Sequence, residues 1–519
     1  MSVFRSYANV SMNTKSNLYL KRALNQKINM LGIDTLEQPE MNNKLMRGEQ
    51  YMESTLTFYK YVIDTLTNII LLGTSIAILV NAFPLLLPLI LLASIPKYLS
   101  DKHFRLAEWK RIFYATESNR KANVSGSDLT NPNKLQEVFI NNSYNFLDLR
   151  FYHPRMANIL ARLKTNKTWM IVDRFLQVIS DCVTYIGYYI ILSGVIIKKF
   201  TIGSGMFYIR SMQDFGSNLE SVLTNYNEMS SYALRVKDFY EIMETAPKFK
   251  DGGITLGKLT SGPKIEFKNV NFSYPNSAKL IVENLTLTIN PGEKVAIVGQ
   301  NGAGKTTLVK LINRMYQLTS GTILINDTDL IDLKLSDYYK NVGVLFQEFA
   351  TYPQLSAREN IIIGDPEKEP TDYAVAEAAK NADAYDFIME YPNKFDQILG
   401  EKFKGGIRPS TGQWQKIAIA RFFYRNAPLV IFDEPTAAID AISEYNIFNK
   451  IYDFFKGKTV IIISHRFSTV RNADRILVME HGKIVEDGTH DTLMKLDGYY
   501  AKSFKLQAEG YSDKNEDKS

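Results

Sequence analysis

"VAIVGQNGAGKTTLVKLI", residues 295–312, decides how the C-terminal half of this chain is read. It opens on four apolar residues, the composition of a strand buried on both faces. A glycine-rich turn follows, Gly299, Gln300, Asn301, Gly302, Ala303 and Gly304. Lys305, Thr306 and Thr307 then begin a helical pattern. Gly299-x4-Gly304-Lys305-Thr306 is the P-loop pattern in the strand–loop–helix setting that its chemistry requires. The glycines let backbone N–H groups close around phosphate oxygens, and Lys305 brings a charge to the β/γ-phosphates. The Thr306 hydroxyl can ligate Mg²⁺, and the helix N-terminus adds its dipole.

Two other buried strands end in polar residues. Residues 429–432 in "PLVIFDEP" lead to Asp433 and Glu434, where one carboxylate can hold Mg²⁺ and the next can polarise a water. "TVIIISHR" ends at His465, a position suited to sensing a γ-phosphate. Upstream, "RPSTGQWQK" (residues 408–416) has Ser410 at an N-cap and Gln413 three positions later, the capping-box spacing. By itself this is an ordinary helix start or a phosphate-facing one. From Lys264 onward, short β-branched strands alternate with helical patterns, the mark of an α/β fold with a mostly parallel sheet.

These motifs stand in an order that resembles the nucleotide-binding domain of an ABC transporter over about 240 residues. On that resemblance, Tyr274 in "FSYP" is the aromatic residue that stacks on adenine. Residues 299–306 are Walker A, with Thr307 beside them. Gln347 in "VLFQEF" is the Q-loop, a sensor of Mg²⁺ and water. Asp433 and Glu434 are Walker B and its catalytic base, Asp440 in "AAID" ends the D-loop, and His465 is the H-switch. The resemblance implies ATP and Mg²⁺ as cofactors, with Thr306, Gln347 and Asp433 around the metal. It also makes "PSTGQ" the signature, pointed at ATP bound by a second subunit, homologous or identical. Ser410, Gly412 and Gln413 match the family pattern. Pro409 and Thr411 depart from it, and Thr411 adds a branched Cβ where the backbone approaches phosphate. A weakened but usable signature is expected; a degenerate site is the alternative.

The N-terminal half differs in character. Residues 62–95 are almost wholly apolar and fit two spans with a tight turn near residues 81–84. A second apolar region covers residues 169–197, and a weaker candidate begins near Ile202. Spans are expected near residues 61–80, 82–98, 171–197 and 202–224, within a helical transmembrane domain of residues 1–245. The stretch between the apolar regions is basic, with Lys97, Lys102, Arg105, Lys110, Arg111, Arg120 and Lys121. The turn has no basic residue, so the positive-inside rule makes the loop, both termini and the ATP-binding domain cytoplasmic. A glycine-rich linker is expected over residues 246–263, the α/β P-loop domain over 264–506 and a disordered tail over 507–519. This half resembles, more loosely, the membrane domain of ABC exporters, which carries six spans. Four are placed, so the first pair would precede Met1.

The chain has 519 residues, a formal net charge of +6 and one cysteine, Cys182. The length implies more than one domain, and one cysteine permits no internal disulfide. Residues 1–24 lack the compact apolar core and small-residue cleavage site of a secretory signal, so none is expected there. The leading expectation is a dimeric, membrane-embedded ATPase exporting a solute, with peptides among the candidates. A regulatory subunit that binds ATP but needs a complete partner is the alternative. A soluble ATPase acting on nucleic acid is disfavoured by the apolar spans.

Overall fold

The computed structural model describes residues 2–512 except 250, 276, 435–440 and 465–469. Within that range the side chains of 2–6, 8–9, 441–442, 444–445 and 508–512 are also not described. The chain divides after Pro247 into two compact units.

The first unit is helical: α1 (Ser2–Leu31), α2 (Ile33–Leu36), α3 (Pro39–Tyr51), α4 (Ser54–Ala82), α5 (Leu86–Asp128), α6 (Pro132–Ile140), α7 (Tyr144–Ile196) and α8 (Ile202–Glu244). By length and composition, α4 and α7 are long and apolar enough to cross a membrane. The turn between α4 and α5 begins where Phe83 N–H closes on the Leu79 carbonyl at 2.7 Å. Leu79, Leu86, Ile191, Met212 and Phe215 form a core joining α4, α5, α7 and α8.

The basic stretch expected as a loop is helical. α5 runs unbroken for 43 residues, roughly 65 Å at 1.5 Å per residue and about twice a hydrocarbon core. Composition changes from apolar to charged along it, and the helix continues through Pro96, which stands at that change. α7 is likewise continuous over 53 residues, through Pro154, with its composition changing from charged to apolar.

The second unit is α/β. A four-stranded antiparallel sheet has the order β2-β1-β4-β5: β1 (Ile265–Phe272), β2 (Val282–Ile289), β4 (Ser320–Ile325) and β5 (Thr328–Asp329). A six-stranded sheet has the order β10-β9-β3-β8-β7-β6: β3 (Lys294–Val298), β6 (Val342–Leu345), β7 (Leu429–Asp433), β8 (Thr459–Ile463), β9 (Arg475–Glu480) and β10 (Lys483–Gly488). β9, β3, β8, β7 and β6 are parallel to their neighbours, and β10 closes the edge antiparallel to β9.

The parallel strands are apolar throughout because both faces are covered. Val295 and Ile297 of β3 join the core shared with the antiparallel sheet, whereas Ala296 and Val298 face a cluster holding Leu493 and Tyr500. Leu429 and Ile431 of β7 take the first side, and Val430 and Phe432 pack into a third, largely helical core. The alternation fixes the register, so β3, β7 and β8 all end at one edge.

The glycine-rich stretch expected as a linker is tied to this second unit. Ile254 N–H reaches the Asp332 carbonyl at 3.0 Å. Leu256 and Gly257 N–H groups both donate to Asp337, at 2.6 and 2.9 Å. At the C-terminus, α16 (His490–Leu496) precedes α17 (Tyr499–Ser512). Residues 507–512 of the expected disordered tail are therefore helical. The start of this helix is held by Tyr500 and Phe504, which pack on His490. Residues 513–519 lie outside the described residues.

Candidate nucleotide site

The loop after β3 passes into α9 (Lys305–Ile312). Its glycines act for different reasons. A Cβ on Gly299 would stand 2.1 Å from the Met479 carbonyl oxygen, so close packing excludes any side chain there. Gly302 has φ +81° but nothing within 4 Å of a would-be Cβ. Its requirement is conformational, and its outer face is open to a ligand. The Ala303 carbonyl accepts from Gly482 N–H at 3.0 Å, which ties the loop to the β9–β10 turn.

Lys305 is 6% exposed. Its Nζ donates to the carbonyls of Gly299 (2.8 Å) and Gln300 (3.0 Å). Burial lowers its pKa, while the Glu434 and Asp433 carboxylates oppose that shift. Thr306 Oγ1 donates to Asp433 Oδ1 at 3.2 Å. Asp433 is fully buried, and burial pushes its pKa up to about 6, against the Thr306 hydrogen bond and the charge of Lys305. Its Oδ2 is buried with no hydrogen-bond partner among the described residues. A buried orphan carboxylate oxygen beside a threonine hydroxyl is what a hard divalent cation requires.

Glu434 has φ +50°, an uncommon conformation for a non-glycine residue. Its N–H is held by the Ile463 carbonyl at 2.9 Å. Its Oε2 accepts from Gln347 Nε2 at 2.9 Å. Tyr274 completes the rim, with its OH 3.1 Å from Thr307 Oγ1. Phe272 and Tyr316 pack edge-on against the Tyr274 ring at 5.0 and 5.2 Å.

The structure thus gathers Tyr274, the 299–307 loop, Gln347, Asp433 and Glu434. Ser410, Gly412 and Gln413 lie instead at the start of α14 (Thr411–Arg425), whose inner face belongs to the largely helical core. Ser410 Oγ accepts from Gln413 N–H at 3.2 Å, and Gln413 Oε1 accepts from Ser410 N–H at 2.9 Å. His465 and Asp440 lie outside the described residues.

Sequence reasoning missed Lys310, whose Nζ stands 5.6 Å from the Tyr274 ring centre and 5.5 Å from that of Tyr316. Its placement five residues after Lys305 on α9 was the available signal.

A sequence model of the ABC transporter family matches residues 282–437. The subtilin transport ATP-binding protein SpaT of Bacillus subtilis is 30% identical over 502 residues, covering 94% of this chain and 80% of that protein. The chain belongs to the ABC transporter family.

This ABC transporter chain is also similar to the ATP-dependent lipid A-core flippase of Methylobacillus flagellatus, 36% identical over 286 residues. That match covers 55% of this chain and 48% of the flippase. The putative multidrug export ATP-binding/permease protein YgaD of Bacillus subtilis is 41% identical over 258 residues, 50% of this chain and 43% of that protein. The chain thus spans less than half the length of these two relatives. The fold matches the structure of a bacterial Atm1-family ABC exporter with ATP bound. The TM-score is 0.86 at 23% identity, over 98% of this chain and 87% of that one. The chain is an exporter-type subunit in which a helical membrane domain and an ATPase domain share one polypeptide, and its activity is ATP hydrolysis coupled to export.

Proposed function

We propose that the chain forms one half of a dimeric exporter that moves a peptide or similar amphipathic solute across the cytoplasmic membrane. The observation that carries the ATPase part is the orphan Asp433 Oδ2 beside Thr306, within reach of Lys305 and Glu434. Lys305 leaves the Gly299 and Gln300 carbonyls to meet the β/γ-phosphates, while Tyr274 stacks on adenine. Thr306, Asp433 and Gln347 would hold Mg²⁺, which would offset phosphate charge when bound. Glu434 accepts the proton of the attacking water, and His465 contacts the γ-phosphate. The other subunit brings Ser410, Gly412, Gln413 and Asp440 to the same nucleotide. The peptide reading rests on the subtilin transporter's place among the relatives.

In this reading α4, α5, α7 and α8 are four spans, and the positive-inside rule favours a cytoplasmic side for the basic part of α5, both termini and the ATPase domain. Closure of two ATPase domains would then drive the membrane domain outward-facing, and hydrolysis would reset it. A regulatory subunit is the second reading, favoured by Thr411 at the first position of α14. The test is ATP turnover by the purified chain in lipid nanodiscs, beside Glu434→Gln. Turnover in the parent and ATP binding without turnover in the variant support the catalytic reading. ATP binding without turnover in both supports the regulatory one.

A further inference from the structure

The N-terminal unit holds a cavity of about 450 Å³ between α5, α7 and α8. On α7, Asp173, Gln177, Asp181, Thr184 and Tyr188 follow one another at intervals of three or four residues, and all line it. That spacing is one face of a helix. Of the residues between them, Phe175, Val178, Ile179 and Ile186 are exposed and apolar, whereas Arg174 is exposed and charged. An apolar helix therefore turns a polar stripe, with two carboxylates, toward a cavity.

Most other charges around the cavity are neutralised. Lys97 of α5 is paired with Glu220 of α8 and also donates to Gln177. Arg105 reaches Asp101 at 2.8 Å and Glu228 at 2.7 Å. Asp173 and Asp181 differ: among the described residues, neither has a cation within ion-pair distance. Asp181 Oδ1 accepts a hydrogen bond of 3.0 Å from the Gln177 amide.

A third acceptor lines the same cavity, Asn227 of α8, which is 3% exposed. Its Nδ2 donates to the Tyr98 carbonyl and to Asp101, both at 3.2 Å. Its buried Oδ1 has no donor among the described residues. Two carboxylates without a paired cation and a buried amide oxygen without a donor, among the described residues, thus line one cavity. Ionisable groups within membrane helices are costly, and those that persist mark ligand or ion paths.

We propose that this cavity binds the cationic part of the transported solute, an ammonium or guanidinium group on an amphipathic peptide. Asp173 and Asp181 are its specificity-determining anchors, and Asn227 Oδ1 is an additional acceptor. The rings of Tyr98, Trp169 and Tyr188 also line the cavity and suit the apolar body of such a solute and its cation. The inference rests on the export reading above and adds the charge of the solute.

The test uses the full chain in nanodiscs of zwitterionic lipid, with probe binding measured without nucleotide and probe-stimulated ATP turnover measured in parallel with Mg-ATP. The probes are end-capped, dansyl-labelled heptapeptides of four leucines with three lysines, three glutamines or three glutamates, and binding is read by fluorescence anisotropy. The lysine probe is expected to bind about tenfold or more tighter than the glutamine probe, with the glutamate probe weakest. Asp173→Asn and Asp181→Asn should each weaken the lysine probe about five- to tenfold and leave the glutamine probe within about twofold. Asp173→Glu, which keeps the charge, should retain the lysine preference. If lysine and glutamine probes bind alike, stimulate ATP turnover alike and ignore all three variants, the charge inference is overturned and peptide export stands. If no probe binds or stimulates turnover, the peptide reading fails and takes the inference with it.

Discussion

Gln347 Nε2 donates a 2.9 Å hydrogen bond to Glu434 Oε2, joining the segment after β6 to the end of β7. The carboxylate sits on a backbone at φ +50°, so both its base and its tip are held. Positioning of this kind matters more than affinity. Gln347→Ala is therefore expected to lower kcat about tenfold while leaving nucleotide affinity within about twofold. Gln347→Glu should lower kcat further, because it sets two carboxylates against each other. Steady-state ATPase assays with a nucleotide-binding titration check both. A Gln347→Ala variant at parental kcat would mean that the contact is incidental.

Gly299 and Gly302 should respond to alanine for different reasons and to different degrees. At Gly299 the new Cβ meets the Met479 carbonyl at 2.1 Å, and that atom is backbone. Gly299→Ala should cost about 3 kcal/mol or more and leave little folded ATPase domain. Gly302→Ala meets nothing within 4 Å and carries only the left-handed penalty at φ +81°, about 1–2 kcal/mol. It should fold, melt a few degrees lower and bind ATP poorly. Thermal unfolding with ATP binding, measured on both variants, separates the two causes.

The raised pKa of Asp433, about 6 against an ordinary 3.8, gives an inverted pH dependence. Between those values the folded protein holds a proton that the unfolded chain has released. Stability attributed to this group is thus greatest below pH 4 and falls as pH rises through 6. Without nucleotide or Mg²⁺, Asp433→Asn should be the more stable protein above pH 6.5 by about 2–3 kcal/mol, an advantage that fades toward pH 4. The melting-temperature difference between the two proteins, followed from pH 4 to 7.5, reads this directly. A difference independent of pH would show that Asp433 is ionised throughout.

Arg47 of α3 and Asp238 of α8 form a buried bidentate pair, at 2.7 and 2.8 Å. The guanidinium also lies 4.6 Å from the Phe113 ring centre. Removing one partner strands the other charge. Arg47→Ala should therefore destabilise the helical unit by about 3–5 kcal/mol, while Arg47→Met with Asp238→Leu should return to within about 1 kcal/mol of the parent. Thermal unfolding of the full chain in detergent tests whether the loss belongs to the orphaned charge or to the packing.

Local order was legible in the sequence where chemistry forces a residue type. The strand ends at Val298, Asp433 and Ile463 could be read because each apolar run stops at a polar motif. The capping box at Ser410 and Gln413 could be read from spacing. Contacts between segments distant in sequence could not: Gln347 to Glu434, Tyr274 to Thr307, and Gly299 under the Met479 carbonyl all depend on sheet order. Helix length was misjudged for a different reason. In α5 the apolar-to-basic change marks where a helix can leave the membrane, and composition carries no signal that the helix itself continues.

Thr411 offers the sharpest test of the signature. It is the first residue of α14 and is exposed, so its branched Cβ projects from the helix start. The cap does not depend on it, because Ser410 and Gln413 bond to each other at 3.2 and 2.9 Å. Thr411→Gly should therefore keep the helix, at a cost of less than about 1 kcal/mol, and let a phosphate come closer to the backbone. ATP turnover should rise several-fold, with a lower KM for ATP. Ser410→Ala should act in the opposite direction, losing about 1 kcal/mol of cap stability and most of the turnover. If Thr411→Gly leaves turnover unchanged while Ser410→Ala abolishes it, the side chain at 411 lies clear of the nucleotide, and the departure from the family pattern is neutral.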